Sequence, residues 1–264
     1  MKWAYAVTTV PMRLETTLPR TLESLKGAGF DQPHLFVDGT AAGFERFGCE
    51  ITYRSSPVRT YGNWVLALAE LYIRNPSAER YAIFQDDFIT YKNLRQYLEK
   101  CPFPEHCGCR KKCECGVPEW KCKHPRQCSC PSPGYWNLFT MPSNQRLCPH
   151  GYQGWYRSNQ FGRGAVALVF SLQGVVTLLS HQYMIDRPQD AHRGWKSVDG
   201  AIVTAMARAG APESGGWVEY VHSPSLVQHI GYESSMGSNP QHDAPCFRGE
   251  GYDALRLFGP TRAS

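Results

Sequence analysis

The chain has 264 residues, 42% of them hydrophobic, enough to bury one sizeable core. Its formal charge of +5 suits a nucleotide phosphate or an anionic acceptor without demanding either. No segment approaches the roughly 20 uninterrupted apolar residues of a spanning helix, and the opening Met1 to Val10 run is too short for a signal peptide, so a soluble, cytoplasmic protein with no membrane contact is expected.

The first half alternates β-rich and helical runs: Tyr5 to Val10, Leu14 to Lys26, His34 to Val37, Asn63 to Ile73 and Tyr81 to Phe84. This is the βαβ rhythm of a parallel sheet. Between Pro102 and Pro133 the apolar periodicity gives way to Cys, Lys, Arg, Pro and Gly, a composition that needs a staple rather than a hydrophobic core. Regular structure resumes with strand-like Tyr135 to Thr140 and Ala165 to Ser171, then helices over Val175 to Gln182 and Gly200 to Arg208. Strand-like Trp217 to Val221 and Leu226 to Ile230 follow, and a Gly- and Ser-rich tail begins at Gly231.

The apolar run Ala82-Ile83-Phe84 leads through Gln85 into two adjacent carboxylates, Asp86 and Asp87. The carboxyl ends of parallel strands are where open α/β sheets bind ligands. A diphosphate-bound Mg2+ or Mn2+ needs only one or two protein oxygens, because phosphates and water complete its octahedron. An isolated Asp-Asp also suits a solvated turn. Asp199, before an apolar helical run, is by position a helix cap sooner than a general base.

Three segments together resemble the GT-A glycosyltransferases, particularly the N-acetylglucosaminyltransferase IV-type enzymes and related viral or bacterial sequences. Gln85-Asp86-Asp87 is similar to the family's DxD-type metal motif, with Gln85 where an acid is common. Ser197-Val198-Asp199-Gly200 is similar to its acid at a helix start, and His222 to Gly231 to its Pro-Ser-Leu-Phe-Gln-His-Val-Gly block.

The resemblance implies a GT-A, Rossmann-like mixed α/β sheet flanked by helices. Residues 1–100 would bind the nucleotide-sugar, 101–133 would be a Cys-rich zinc-binding insertion outside the resemblance, and 134–264 would bind the acceptor. The implied activity is metal-dependent, inverting transfer from a donor, uridine diphosphate (UDP)-linked by the same resemblance, to an acceptor hydroxyl. Asp87 and His229 would hold Mn2+ or Mg2+, and Asp199 would be the base. Donor contacts would come from Thr8, Thr9, Pro11, Arg13, Asp38, Arg59, Asn63 and Asp86, each of which also has a plain reading as turn or surface polarity.

Cys101, Cys107, Cys109, Cys113, Cys115, Cys122, Cys128 and Cys130 crowd closely enough to support two structural Zn2+ sites, with disulfides as the alternative. Lysines and arginines interleave with them, which reads as a stabilising zinc knuckle with a solvated charged surface or as a grip on nucleic acid, with Trp120, Lys121 and Lys123 stacking on it and neutralising it. The acceptor would then be a hydroxymethylated base in DNA; a glycan or protein acceptor, and a non-catalytic zinc module that binds nucleic acid, stay open. Oligomeric state is left undetermined.

Overall fold

The computed structural model describes residues 1–105, 132–187, 198–209, 216–231 and 243–258. Strand β1 (Trp3–Thr9) runs parallel to β2 (His34–Asp38) on one side and to β4 (Arg80–Gln85) on the other, and β3 (Ile51–Arg54) continues the parallel half beyond β2. β8 (Ala167–Ser171) joins β4 antiparallel. β6 (Gly134–Asn137), β9 (Val218–Ser223) and β7 (Gly154–Arg157) complete one eight-stranded mixed sheet of order β3-β2-β1-β4-β8-β6-β9-β7.

Four consecutive residues of β4, Tyr81 to Phe84, are buried, as in a central strand covered on both faces. Because strand side chains alternate, Ala82 and Phe84 enter one apolar core and Tyr81 and Ile83 the other. The first core packs under α1 (Leu18–Ala28) and α3 (Leu94–Lys100), the second under α2 (Arg59–Arg74), α5 (Leu172–Leu179) and α7 (Asp199–Arg208). Helix α2 contributes Tyr61, Trp64, Leu68 and Leu71, the three-and-four spacing of a buried stripe, each worth about 1.5–3 kcal/mol in burial.

Several boundaries differ from the expected ones for local reasons. Pro11–Arg13 form a 3-10 turn, and α1 starts only at Leu18, with Pro19 in its first turn, where a missing N–H costs nothing. Gly29, at φ +91°, ends that helix by donating its N–H to the Leu25 and Lys26 carbonyls. Strands β3, β5 (Phe88–Thr90) and β7, and helix α3, were not anticipated; the three strands are three or four residues long, too short to show a period. Strand β5 pairs antiparallel with β10 (Val227–His229) in a separate ribbon, setting His229 opposite Phe88. The short helices α4 (Pro142–Gln145) and α6 (Gln182–Asp186) lie in the second half. Among the described residues no helix is long and apolar enough to cross a membrane.

Candidate active site

Helix α1, which follows β1, packs on one face of the sheet, while α2, which leads into β4, packs on the other. The strand order therefore reverses between β1 and β4, and the carboxyl ends of the strands at such a switch point are where open α/β sheets bind ligands. Asp86 and Asp87 sit there, immediately after β4, each only 7% exposed.

Asp86 turns back to the end of β1, where its Oδ2 accepts a 2.5 Å hydrogen bond from the Thr9 hydroxyl. Its Oδ1 lies 4.0 Å from Arg13 Nε. Burial first, and then the charge of Asp87, push Asp86 above the ordinary carboxylate range, against the pull of Thr9, Arg13 and the Val10 N–H.

Asp87 faces the ribbon. Its Oδ2 lies 3.1 Å from His229 Nε2 and 3.5 Å from Arg13 Nη2, and its backbone carbonyl accepts from the Ile230 N–H at 2.7 Å. Two buried atoms beside this contact, Asp87 Oδ1 and His229 Nδ1, have no hydrogen-bond partner among the described residues. Buried polar atoms ordinarily find a partner, so an orphaned carboxylate oxygen beside an imidazole fits a cation ligand. Among the described residues no group of three or more His, Cys, Asp or Glu could hold a metal. A cation here would take two protein ligands, with the rest from diphosphate and water, as Mg2+ and Mn2+ do in phosphate sites. Gly231 closes this corner: a methyl group on it would stand 2.6 Å from Asp87 Oδ2 and 3.1 Å from His229 Cε1.

The other sequence-derived donor residues divide into two sets. Thr9 and Arg13 join the acid pair directly, and Arg13 is its buried counter-ion. Thr8 donates its hydroxyl to the Phe84 carbonyl, and Pro11 lies against Gly39, where a methyl group would be 3.1 Å from Pro11 Cγ. Asp38 accepts the Val58 N–H at 2.7 Å, fixing the approach to α2, whose first residue, Arg59, is exposed. Asn63 is buried, with its amide donating to the Phe36 carbonyl and accepting from Arg54, so it braces β2 and β3.

Asp199 opens α7 as its first helical residue; the capping position is Val198. Its Oδ2 accepts the Gly164 N–H at 2.7 Å. Val166, two residues beyond Gly164, bonds Gln85 N, so the segment that holds Asp199 reaches the end of β4 beside the acid pair.

One acidic residue here escaped sequence reasoning. Glu219 of β9 is buried, bonded by Asn137 at 3.2 Å, by the Tyr135 hydroxyl at 3.3 Å and by Ser158. Burial is the main cause that raises its carboxyl above the usual range, and the Asp199 charge adds to it. The only signal in the sequence is a glutamate inside the apolar Trp217 to Val221 run.

Of the eight cysteines in the expected zinc insertion, only Cys101 is described. It is buried among Tyr97 and Trp155, and burial raises its thiol, which disfavours the thiolate that zinc requires. Cys107, Cys109, Cys113, Cys115, Cys122, Cys128 and Cys130, with Trp120, Lys121 and Lys123, lie outside the described residues.

Neither a family model nor a curated protein matches the sequence. Solved structures resemble the chain loosely, in fold alone. TarS of S. aureus is 11% identical, with a TM-score of 0.43 over 84% of this chain and 36% of that one. GalNAc-T7, solved with UDP, GalNAc and Mn2+, is 10% identical, with a TM-score of 0.43 over 84% of this chain and 44% of that one. A mannose-1-phosphate geranyltransferase from Thermus thermophilus is 14% identical, with a TM-score of 0.41 over 84% of this chain and 74% of that one. The chain thus spans 36% of TarS and 44% of GalNAc-T7, and superpositions this loose leave the functional reading to the geometry of the site itself.

Proposed function

We propose that the chain is a metal-dependent, inverting glycosyltransferase of GT-A type that moves a sugar from a UDP-linked donor to an acceptor hydroxyl. The observation that carries the reading is Asp87, a buried carboxylate with one oxygen on an imidazole and the other unpartnered, at the switch point of an α/β sheet.

In this reading residues 1–100 hold the donor and residues 134–264 the acceptor. Asp87 and His229 hold Mn2+ or Mg2+, which when bound neutralises charge on the departing diphosphate. Arg13, counter-ion to the acids without donor, turns toward phosphate when donor enters. Asp86 keeps the Thr9 loop in register and offers Oδ1 to the ribose. Asp199 takes the proton of the acceptor hydroxyl; the acceptor oxygen attacks the anomeric carbon, the bond from that carbon to the diphosphate oxygen breaks, and UDP leaves. The Gly164 N–H fixes the direction of the Asp199 carboxylate. Structural zinc on the cysteines from Cys107 to Cys130 stays part of the proposal, and metal analysis of the purified chain tests it.

The test is donor turnover with Mn2+ and a panel of nucleotide-sugars. Slow hydrolysis that stops on chelation, returns with Mn2+, and falls at least a hundredfold in Asp87→Ala is expected. Asp199→Asn should lower transfer about a hundredfold or more while leaving UDP affinity in place. A chain that neither binds nor hydrolyses any nucleotide-sugar would instead favour a non-catalytic binding protein.

A further inference from the structure

Residues 120–185 contain no aspartate or glutamate, although the whole chain carries 23 acids against 28 lysines and arginines. In the described part of that stretch, Arg146, Arg157 and Arg163 are all exposed, and among the described residues none forms an ion pair. With no acid in this stretch, the three arginines leave uncompensated positive charge on the surface, which attracts a polyanion.

Their backbone is held in place. Arg157 ends β7, the last strand of the sheet, and Arg146 follows α4. Asn144 of α4 accepts the Asn159 N–H at 2.9 Å through its side chain and the Tyr156 hydroxyl at 3.1 Å through its backbone. The side chain of Gln160 pairs with the backbone of Glu219 in both directions, donating to its carbonyl at 2.9 Å and accepting its N–H at 3.0 Å. Gly162 packs so closely on the first turn of α7 that a methyl group would be 2.6 Å from the Asp199 carbonyl oxygen.

Between those anchors Phe161 projects, 74% exposed. A large aromatic ring held out by a braced loop, one residue from a contact with Asp199 and flanked by unpaired arginines, combines the two elements by which proteins grip unstacked strands. The ring stacks on a base, and the guanidinium groups meet phosphates. A neutral sugar acceptor would use the ring but leave the arginines without a partner.

We propose that the outer edge of β7 and the loop after it form a binding site for a single-stranded stretch of nucleic acid, with Phe161 stacking on a base and Arg146, Arg157 and Arg163 on phosphates. Only the description of that strand as the acceptor rests on the glycosyl-transfer reading; the binding does not. The site would lead a strand toward Asp199.

The experiment is fluorescence anisotropy of a labelled single-stranded DNA oligonucleotide with the full chain, across a salt series. Binding should weaken with salt. In the paired variant Arg157→Ala, Arg163→Ala the slope of log K against log salt should be shallower by about 0.7 for each phosphate that is no longer neutralised. Phe161→Ala should weaken binding about tenfold with the slope unchanged, and Phe161→Trp should restore it. Variants that bind as tightly as the parent chain would overturn the proposal. So would equal affinity for a sulfated polysaccharide that does not depend on Phe161, or saturable binding of a neutral oligosaccharide at Phe161 with none of DNA. Asp87→Ala should leave strand affinity unchanged, so a failure of sugar transfer and a failure of this site read out separately.

Discussion

Asp86 and Asp87 are neighbours in sequence with unequal surroundings: one is tied to β1 by Thr9, while the other faces the β5–β10 ribbon with an oxygen to spare. The raised Asp86 carboxyl has a measurable consequence. The folded chain retains a proton that the unfolded chain loses near pH 4, so Asp86 costs stability as pH rises from there to its folded-state value, and the cost is constant above. Asp86→Asn should therefore be more stable than the parent by a margin that widens with pH over that interval, read as urea midpoints without added metal. A variant less stable than the parent at pH 8 would show instead that Arg13 more than compensates the buried charge. At Gly231 the test is steric. Gly231→Ala should push the Asp87 carboxylate aside and lower metal-dependent turnover about a hundredfold, with far-UV circular dichroism unchanged.

The short elements were the least legible in the sequence. An apolar strand ending in two acids announces itself in Ala82 to Asp87, and the three-and-four spacing of Tyr61, Trp64, Leu68 and Leu71 announces α2. Nothing in Phe88-Ile89-Thr90 shows that it will pair with Val227-Gln228-His229, because that pairing is set by the packing of both segments on the first core. Asn63 illustrates the same limit: a polar residue beside a glycine reads as a turn, but its amide joins two strands. Strand β9 carries a further case in His222, fully buried, with Nδ1 donating to the Pro224 carbonyl at 2.7 Å and Nε2 accepting from Tyr97 at 2.6 Å. Burial, the main cause, lowers it from 6.5 to about 4, so the unfolded chain takes up a proton first as pH falls. Stability from this residue is complete above pH 6.5 and declines by about 3 kcal/mol toward pH 4. His222→Gln should flatten that decline in chemical denaturation, whatever its effect on baseline stability. Because Asp86 acts with the opposite sign over part of the same range, the two variants separate what the parent chain partly cancels.

Across the whole molecule, one sheet carries both halves of the candidate site. The ladder between β4 and β8 ties Tyr81 to Phe170 and Ile83 to Leu168, so the acid pair and the Gly164 segment that holds Asp199 sit on a single rigid surface. The βαβ rhythm of the first half was visible from composition and spacing. The antiparallel continuation was not, since a central strand buried on both faces reads the same in either direction. The ribbon of β5 and β10 adds an order of assembly. Asp87 is made early in synthesis and His229 late, and the imidazole can reach the carboxylate only when the chain beyond Leu226 has emerged and docked. Nascent polypeptides stalled short of that point would display the aspartates without their nitrogen partner, so under the proposed metal site manganese affinity would distinguish finished molecules from those still on the ribosome.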